Sequence, residues 1–409
     1  MGKILIKNIK GLVQAGENFP VMKRGKEMAE LPIISNAFLA LEDGVIIEYG
    51  SMDEWGGIAD WRGIEIIDAE GKYVLPAFCD AHTHIVFARS REEEFVDRIH
   101  GLTYEEIALK GGGILNSARR LQEMSEDELY EKTKKRIDLL KSYGTGAIEI
   151  KSGYGLTVDA ELKMLRVIQR LKENSDIVIK ATFLGAHAFP SAYKENHRGY
   201  LDLIVNEMLP IIGKEKLADY IDAFCERNYF SVEEMAEVLE AGAKYNLVPK
   251  VHVNQFSALG GIKKAVEMGA LSVDHLEEIT DEDIAALHGS NCMPTILPSC
   301  SHFLSIPFGD ARRMLNAGLP IALASDFNPG STPSGNLQFV MSLACVKMKM
   351  TPEEAINALT INAAYAMGLS DTHGTISIGK KTPVLLTKEI PSLAYIAYAF
   401  GDNHVERLI

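Results

Sequence analysis

Residues 75–87 read LPAFCDAHTHIVF, an apolar run whose second half carries two histidines, His82 and His84, one residue apart. Seven further apolar runs follow, and most are separated by amphipathic helical patterns. They cover residues 146–155, 176–189, 218–225, 247–256, 271–278, 291–299 and 320–330. Strands that are apolar throughout and alternate with helices are typical of a parallel sheet buried on both faces. Eight such units within residues 76–370 therefore predict an α/β fold, a (β/α)8 TIM-type barrel.

The segments on either side of this region have a different character. Residues 1–75 alternate short strands with turns, and the Asp43-Gly44 and Glu70-Gly71 steps predict hairpins. Residues 371–409 return to strand-like sequence after the helical pattern TPEEAINALTINAAYAMG. We expect the two terminal segments, 1–75 and 371–409, to combine into a small β-sandwich domain beside the barrel at 76–370.

Composition limits the function classes. The chain has 409 residues, 47% of them hydrophobic, and a formal net charge of −14. Such an acidic surface argues against nucleic acid and against anionic membranes as partners. No apolar run is long enough to span a bilayer, and charges interrupt the first apolar run where a signal peptide needs continuity. Five scattered cysteines indicate reduced thiols, so we expect a cytoplasmic protein.

Polar side chains mark the ends of several predicted strands. In a TIM-type barrel the active site lies where the strands end, at the carboxyl face. Five of the eleven histidines and one aspartate fall at such positions, namely His82, His84, His187, His252, His275 and Asp326. A single histidine there would be read as a hydrogen-bonded structural residue. Five at one rim are not explained by packing and indicate a chemical site.

The spacing of the first two histidines predicts half of a metal site. Residues two apart in a strand point to the same face, so His82 and His84 should both face the barrel mouth. With His252 and Asp326 they make a set of three nitrogens and one oxygen, which suits Zn²⁺ and, with less preference, Fe, Mn or Ni. A divalent ion held there lowers the pKa of a bound water towards ~7. The pattern therefore predicts a metal site that can activate water.

Several motifs carry a family resemblance. They are DAHTH, HTHIVFARSREEEF, GLTYEEIALKGGGILNSARR, EIKSGYGL, FLGAHAFP, VDHL, ASDFNPGSTPSGN and TINAAYAMG. The paired histidines and the aspartate after strand eight resemble the amidohydrolase superfamily, and the full set resembles its imidazolonepropionase family. The resemblance implies hydrolysis of the cyclic amide of 4-imidazolone-5-propanoate (imidazolone propionate) to N-formimidoyl-L-glutamate in histidine degradation. It also implies one Zn²⁺ or one Fe³⁺/Fe²⁺ per subunit and a homodimer.

The same resemblance implies roles for individual residues. The family's metal ligands correspond to His82, His84, His252 and Asp326, and its catalytic residues to His275 and Asp326. Its substrate-binding positions correspond to Arg91, Tyr154, His187, Gln255, Asn328, Gly330 and Ser331. Arg91 offers a planar fork of donors and is expected to bind the propionate carboxylate. Tyr154 and His187 are expected to add hydrogen bonds and to hold the ring.

Two positions depart from the family's pattern. The segment FARSRE places Arg89 as an extra cation near Arg91, where the family commonly has small glycines. Gln255 stands where some members carry glutamate, and an amide can hydrogen-bond but cannot take a proton as a base. The general base is therefore expected to be His275 or Asp326, and both stay open.

Particular residues also bear on the number of metal ions and on two alternative functions. Superfamily members with two metals carry a carboxylated lysine at the end of strand four, but that predicted strand ends in Cys225, so one metal is favoured. Lys151, in the second predicted strand, is interpreted as an ion-pairing residue. One alternative is a deaminase of a small aromatic ring, which would not need Arg91 for a carboxylate. The other is a catalytically inactive barrel used for binding or assembly, although such a barrel would be expected to lack metal ligands.

Overall fold

The structure is a computed structural model that describes residues 2–57, 62–102, 106–107 and 112–409. Its strands are β1 (Lys3–Val13), β2 (Ile33–Glu42), β3 (Val45–Ser51), β4 (Ile64–Asp68), β5 (Tyr73–Pro76), β6 (Phe78–Asp80), β7 (Thr145–Lys151), β8 (Val178–Ala186), β9 (Tyr220–Cys225), β10 (Val248–Val253), β11 (Ser272–His275), β12 (Met293–Ile296), β13 (Ala322–Leu323), β14 (Val384–Thr387) and β15 (Val405–Leu408). Its α-helices are α1 (Glu92–Ile99), α2 (Gly113–Glu123), α3 (Glu126–Ser142), α4 (Val158–Asn174), α5 (His197–Leu203), α6 (Leu209–Glu215), α7 (Val232–Ala243), α8 (Gly261–Glu267), α9 (Asp281–Leu287), α10 (Pro298–Leu304), α11 (Ala311–Asn316), α12 (Leu337–Met348), α13 (Pro352–Leu359), α14 (Ile361–Ala366) and α15 (Ala394–Tyr398).

Strands β6 to β13 form the predicted barrel. They are parallel, and each pairs with the next in the order of the chain. The two edge strands meet just beyond their regular ends. There the backbone N–H of Asp326 donates to the carbonyl of His82 at 3.0 Å, and that of His84 donates to the carbonyl of Phe327 at 2.9 Å. These bonds nearly close the barrel, and they join the first and last strands where the predicted ligands lie.

The interior strands explain why the sequence shows apolar runs rather than alternation. Every residue of β7, β9, β11 and β12 is buried, because side chains on one face fill the barrel and those on the other face pack under helices. Helices α3 and α7 begin at capping boxes. In each, a serine side chain accepts from the N–H of the glutamate three residues on, Ser125 from Glu128 and Ser231 from Glu234.

Both ends of the chain contribute to a separate sheet, as predicted. Its order is β15-β14-β5-β1-β2-β3, with β4 also paired to β1. These seven strands form one hydrogen-bonded sheet that is separate from the barrel sheet. The Asp43-Gly44 hairpin is confirmed, since β2 and β3 are antiparallel and both turn residues have the positive φ of a type I′ turn. The domain boundaries at residues 75 and 370 stay a prediction.

The hairpin predicted at Glu70-Gly71 is wrong. Strands β4 and β5 do not pair with each other, since both run parallel to β1 along the same edge. β1 makes these two pairings through residues 3–7 and 11–12, and Asn8 between them has a positive φ of 56°, where the register of β1 against β2 on its other edge also shifts. The turn therefore joins two successive pieces of one interrupted strand.

Among the helices that the structure describes, none is long and apolar enough to cross a membrane.

Candidate functional site

Three imidazole rings converge at the carboxyl end of the barrel. The Nε2 atom of His84 lies 3.3 Å from Nε2 of His82 and 3.2 Å from Nε2 of His252. Oδ1 of Asp326 lies 3.6 Å from Nε2 of His82 and 3.7 Å from Nε2 of His84. All four side chains are buried. The structure thus brings the four predicted ligands together.

The spacing of these nitrogens fits a tetrahedral metal ion. Two imidazole ligands at about 2.0–2.1 Å from Zn²⁺ are separated by about 3.3–3.4 Å when the angle at the metal is tetrahedral. The observed nitrogen–nitrogen distances of 3.2 and 3.3 Å are close to that value. Burial, followed by the charges of neighbouring groups, lowers the pKa of His82, His84 and His252 well below the ordinary value. The neutral rings that result are the form that binds a metal.

Two buried carboxylates orient two of the three converging imidazoles. Nδ1–H of His82 donates to Oδ2 of Asp274 at 2.7 Å, and Nδ1–H of His252 donates to Oδ2 of Asp222 at 2.8 Å. The backbone N–H of His252 also donates to Oδ1 of Asp222 at 3.0 Å. With its proton held on Nδ1, each ring presents the lone pair of Nε2 to the cluster.

A layer of paired charges lies beneath this cluster. Nζ of Lys151 is 2.6 Å from Glu149, 2.8 Å from Asp222 and 3.5 Å from Asp274. Lys250 pairs with the other oxygen of Glu149 and donates to two backbone carbonyls. Burial acts to lower the pKa of Lys151, but the surrounding carboxylates outweigh it and raise that pKa. The interpretation of Lys151 as an ion-pairing residue is therefore confirmed.

The loop after β13 holds Asp326 in place. Asp326 has a φ of 54°, a left-handed conformation that is uncommon outside glycine. Oδ1 of Asn328 accepts from the N–H groups of Gly330 and Ser331, both at 2.8 Å, and its Nδ2 donates to the carbonyl of Asp326 and to Oγ of Ser331, both at 2.7 Å. The hydroxyl of Ser331 donates to Oδ2 of Asp326 at 3.4 Å. Asn328 is thus occupied in shaping the loop, a role that the sequence did not suggest.

Arg91 is seated against that same loop. A Cβ atom at Gly330 would come within 1.3 Å of Nη2 of Arg91, so the absence of a side chain there makes room for the guanidinium. Nη1 lies 3.6 Å from Glu94, and Nε has no hydrogen-bond partner within the described parts of the chain. The side chain is only 9% exposed, whereas Arg89 is exposed. Both line a cavity of about 560 Å³.

Tyr154 and His187 lie next to the histidine cluster. The His187 ring stacks on His84 with centroids 5.4 Å apart, and the Tyr154 ring is 5.4 Å from that of His187. Nδ1–H of His187 donates to the carbonyl of Gly153 at 2.9 Å. Burial lowers the pKa of His187 to about 4, so this ring is neutral at pH 7. Beneath it, the buried Glu161 carboxylate accepts from three backbone N–H groups and fixes the loop that carries Tyr154.

His275 reaches the cluster from the end of β11. Its ring centroid is 5.6 Å from that of His82 and 5.3 Å from that of His252. Burial acts to lower the pKa of His275, but the Glu277 carboxylate 3.5 Å from its Nδ1 outweighs this effect and raises the pKa. Burial also raises the pKa of Asp326 to about 6. Gln255, the last of the predicted residues, is buried, and its amide donates to Sγ of Cys300 at 3.4 Å.

The sequence analysis missed the residues that support the site. They are Glu149, Glu161, Asp222, Lys250, Asp274, Glu277 and Cys300. Four of these lie inside otherwise apolar strands, and that pattern was a usable signal. A charged side chain in a buried strand must be paired, so each such residue implies a partner nearby. Glu161, on a helix, offered no such signal.

A nearly closed barrel with a His-x-His pair after its first strand, a histidine on its fifth and an aspartate after its eighth defines a class of hydrolase. A family model described as "Amidohydrolase family" matches residues 73–406. The chain belongs to this family. Among solved structures, guanine deaminase from E. coli superposes with a TM-score of 0.75 at 13% identity, covering 100% of this chain and 97% of that one. This likeness concerns the fold alone.

Two relatives with assigned names indicate which family of amidohydrolases the chain belongs to. The chain is 60% identical to a protein of Flavobacterium johnsoniae named Imidazolonepropionase, over 99% of this chain and 98% of the relative. It is 59% identical to a protein of the same name from Flavobacterium psychrophilum, over 99% and 98%. Within the amidohydrolases, the chain is thus a member of the imidazolonepropionase family.

Proposed function

We propose that the chain hydrolyses the ring amide of 4-imidazolone-5-propanoate to N-formimidoyl-L-glutamate, a step of histidine degradation. One observation carries this proposal. The loop that begins at Asp326, next to three converging imidazoles, also packs through Gly330 against the guanidinium of Arg91. A hydrolytic centre and a cationic group for a carboxylate therefore share one loop. The relatives named Imidazolonepropionase support the same reaction.

His82, His84, His252 and Asp326 would hold one Zn²⁺ or one Fe³⁺/Fe²⁺ ion. When bound, such an ion polarises a carbonyl and lowers the pKa of a water. The carboxylates of Asp222 and Asp274 keep two of the ligand rings in the tautomer that exposes Nε2. Because the carboxylated lysine of two-metal relatives has no counterpart at the end of β9, the proposal is for a single ion.

Proton transfer falls to His275 and Asp326. Opening the ring requires removal of a proton from the attacking water and delivery of one to the departing nitrogen. The Glu277 carboxylate raises the pKa of His275, which suits a group that must take up a proton, and Asp326 stays the second candidate. Gln255 cannot ionise, so its part is limited to hydrogen bonding.

The substrate's propionate arm would be received by Arg91. A guanidinium pairs with a carboxylate through two parallel hydrogen bonds, and Nε of Arg91 has no partner in the residues that the structure describes. Tyr154 and His187 would flank the ring and add hydrogen bonds. Asn328, Gly330 and Ser331 would form the wall opposite, since they shape the loop between Asp326 and the guanidinium.

The test is direct. Purified protein is mixed with imidazolone propionate, and the ultraviolet absorbance of the substrate is followed with and without prior treatment by a chelator. We expect loss of absorbance and formation of N-formimidoyl-L-glutamate, abolished by the chelator and restored by added zinc or iron. Hydrolysis that survives complete metal removal would contradict the metal assignment, and no hydrolysis in any metal form would contradict the function.

The aromatic-ring deaminase is less favoured. The guanine deaminase likeness rests on fold alone, at 13% identity. A buried arginine beside the site would have no partner on a neutral base. Ammonia release from guanine or cytosine should therefore be absent.

We further propose a cytoplasmic homodimer without nucleic-acid or membrane partners. Light scattering after size-exclusion chromatography checks the dimer.

A further inference from the structure

Glu94 is the anionic neighbour of the proposed substrate arginine. Its Oε2 lies 3.6 Å from Nη1 of Arg91, and the two side chains are 16% and 9% exposed. Water and salt therefore screen their attraction less than they would at an open surface. The two glutamates that precede it in the chain, Glu92 and Glu93, are exposed, and the side chain of Glu93 is 87% exposed. The third glutamate of this acidic run is thus the one turned toward Arg91.

Helix α2 holds the Glu94 carboxylate independently of Arg91. Oε1 of Glu94 accepts from the backbone N–H of Gly113 at 3.0 Å and from Nδ2 of Asn116 at 3.3 Å. Gly113 is the first residue of α2, and the N-terminus of a helix stabilises a negative charge placed beside it. Because Oε1 is held in this way, Oε2 faces Nη1 of Arg91. The carboxylate is therefore a fixed charge against which the guanidinium can be oriented.

This pairing decides which edge of the guanidinium stays open. A guanidinium can bind a carboxylate through Nη1 and Nη2 or through Nε and Nη2. Glu94 engages Nη1, whereas Nε is buried and has no hydrogen-bond partner among the described residues. The edge that contains Nε and Nη2 is therefore the one left to receive a second carboxylate.

We propose that Glu94 is a positioning residue that sets the preference for an anionic substrate. It holds Nη1 of Arg91 so that the edge with Nε and Nη2 receives the carboxylate of the propionate arm, and this step rests on the proposed function. A carboxylate beside the guanidinium would also repel the carboxylate of the substrate. Positioning and repulsion therefore predict changes of opposite sign when the charge of Glu94 is removed.

Glu94→Gln measures that sign without using activity. The amide oxygen can still accept from Gly113 and Asn116, whereas the charge that holds Nη1 is lost. The probe is imidazole propionate, which carries the propionate arm but has no ring amide to hydrolyse, and its neutral primary amide is the comparison ligand. Calorimetric titration of the native protein should show tighter binding of the carboxylate probe.

Glu94→Gln should bind the carboxylate probe ~3–30-fold more weakly, a part of the full value of a charged hydrogen bond, because the guanidinium remains but is no longer held. Its affinity for the amide probe should be unchanged, which also shows that the site is folded. Glu93→Gln is the matched control, since it removes an exposed charge from the same acidic run, and it should bind both probes as the native protein does.

Kinetics of a double variant show whether Glu94 acts through Arg91. Glu94→Gln alone should raise KM for imidazolone propionate and leave kcat nearly unchanged, as expected for a group that binds the remote arm. In a protein that already carries Arg91→Met, the same change should cause no further loss of kcat/KM, because there is no guanidinium left to position.

Four results would overturn the positioning role. They are equal binding of the two probes by the native protein, unchanged or tighter binding of the carboxylate probe by Glu94→Gln, an equal loss with both probes, and a further loss in the double variant. A selective loss of the carboxylate probe in a protein that does not hydrolyse imidazolone propionate leaves the positioning role standing and overturns the proposed function instead.

Discussion

Nζ of Lys151 lies 2.8 Å from the Asp222 oxygen that also receives Nδ1–H of His252. The same ammonium is 3.5 Å from the Asp274 oxygen that receives Nδ1–H of His82. One buried cation thus contacts both carboxylates that orient two of the ligand rings. Lys151, Asp222 and Asp274 are all inaccessible to solvent. The geometry of these three groups is therefore set by their contacts with each other and not by water. We therefore expect Lys151 to act as a positioning residue for the proposed metal site.

Lys151→Met should weaken metal binding. Without the ammonium, Asp222 and Asp274 repel each other and turn away from the imidazoles. Loss of partners behind metal ligands commonly costs about 10–100-fold in affinity. Lys250→Met is the matched control, since it also removes a buried ammonium, one that pairs with Glu149, donates to two backbone carbonyls and lies 5.4 Å from the centre of the Tyr220 ring. Both variants should lose stability. Zinc dissociation constants measured on the folded proteins should change in Lys151→Met alone, and equal constants in the two variants would refute the positioning role.

Two separate substitutions, at His275 and at Gln255, can identify the residue that carries the proton. His275→Ala should lower kcat by ~10²–10⁴, the range expected for loss of a general acid or base. Gln255→Glu should stay active, because a residue that only hydrogen-bonds does not carry the proton. Metal content should be unchanged in both, as neither residue is a ligand of the proposed single ion. A loss below tenfold in His275→Ala would transfer the role to Asp326.

Much of the fold was predictable because burial on both faces leaves a clear pattern. Each apolar run from LPAFCD to PIALAS became a barrel strand, and the Asp43-Gly44 hairpin followed from its turn chemistry. The Glu70-Gly71 hairpin failed for a reason that lies elsewhere in the chain. The parallel pairing of β4 and β5 with β1 joins segments that are distant in the chain, and a local turn signal carries no information about it.

The candidate site, like the fold, could be predicted from the sequence only in part. Strand ends could be located from the sequence, so His82, His84, His252 and Asp326 could be grouped before any distance was known. The supporting contacts could not, because they join β7, β9, β10 and β11 across the barrel interior. Nothing near Cys300 in the sequence indicates that it lies beside His275 and Glu277. That proximity depends on how α10 packs at the end of β12.

Stability should depend on pH through His373. Burial, together with nearby Lys380, lowers the pKa of His373 to about 4, against about 6.5 in an unfolded chain. Between these values the unfolded state binds more protons, so stability is full above about pH 6.5 and falls as the pH drops towards 4. At pH 5.5 the loss is about 1.4 kcal/mol relative to pH 8. Urea unfolding should show that acidification lowers the stability of the native protein by this amount relative to His373→Leu, whereas a pH-independent difference between the two proteins would contradict the assignment.

The role of Arg91 is open to a test of selectivity. Losing a charged hydrogen-bond partner costs about 1.5–3 kcal/mol, which corresponds to about 10–100-fold in kcat/KM. Arg91→Met should suffer this loss with imidazolone propionate and little loss with an analogue in which a neutral amide replaces the carboxylate. Arg89→Met, which removes the exposed cation, is the control and should have a small effect on both substrates. If the selective loss appears in Arg89→Met instead, the carboxylate is bound two residues earlier than proposed.

Gly330→Ala should reproduce that selectivity without touching the arginine. The added Cβ would lie 1.3 Å from Nη2 of Arg91, so the guanidinium must move away from the loop. No strained backbone angle is involved, because the φ of Gly330 is not positive, so the methyl group acts by displacement alone. We expect a higher KM for imidazolone propionate, a nearly unchanged constant for the amide analogue, and full metal content because Asp326 keeps its place. Gly56→Ala, where an added Cβ meets nothing within 4 Å, is the matched control and should behave as the native protein. An equal penalty on both substrates in Gly330→Ala would mean that the loop itself, and not the seat of Arg91, was damaged.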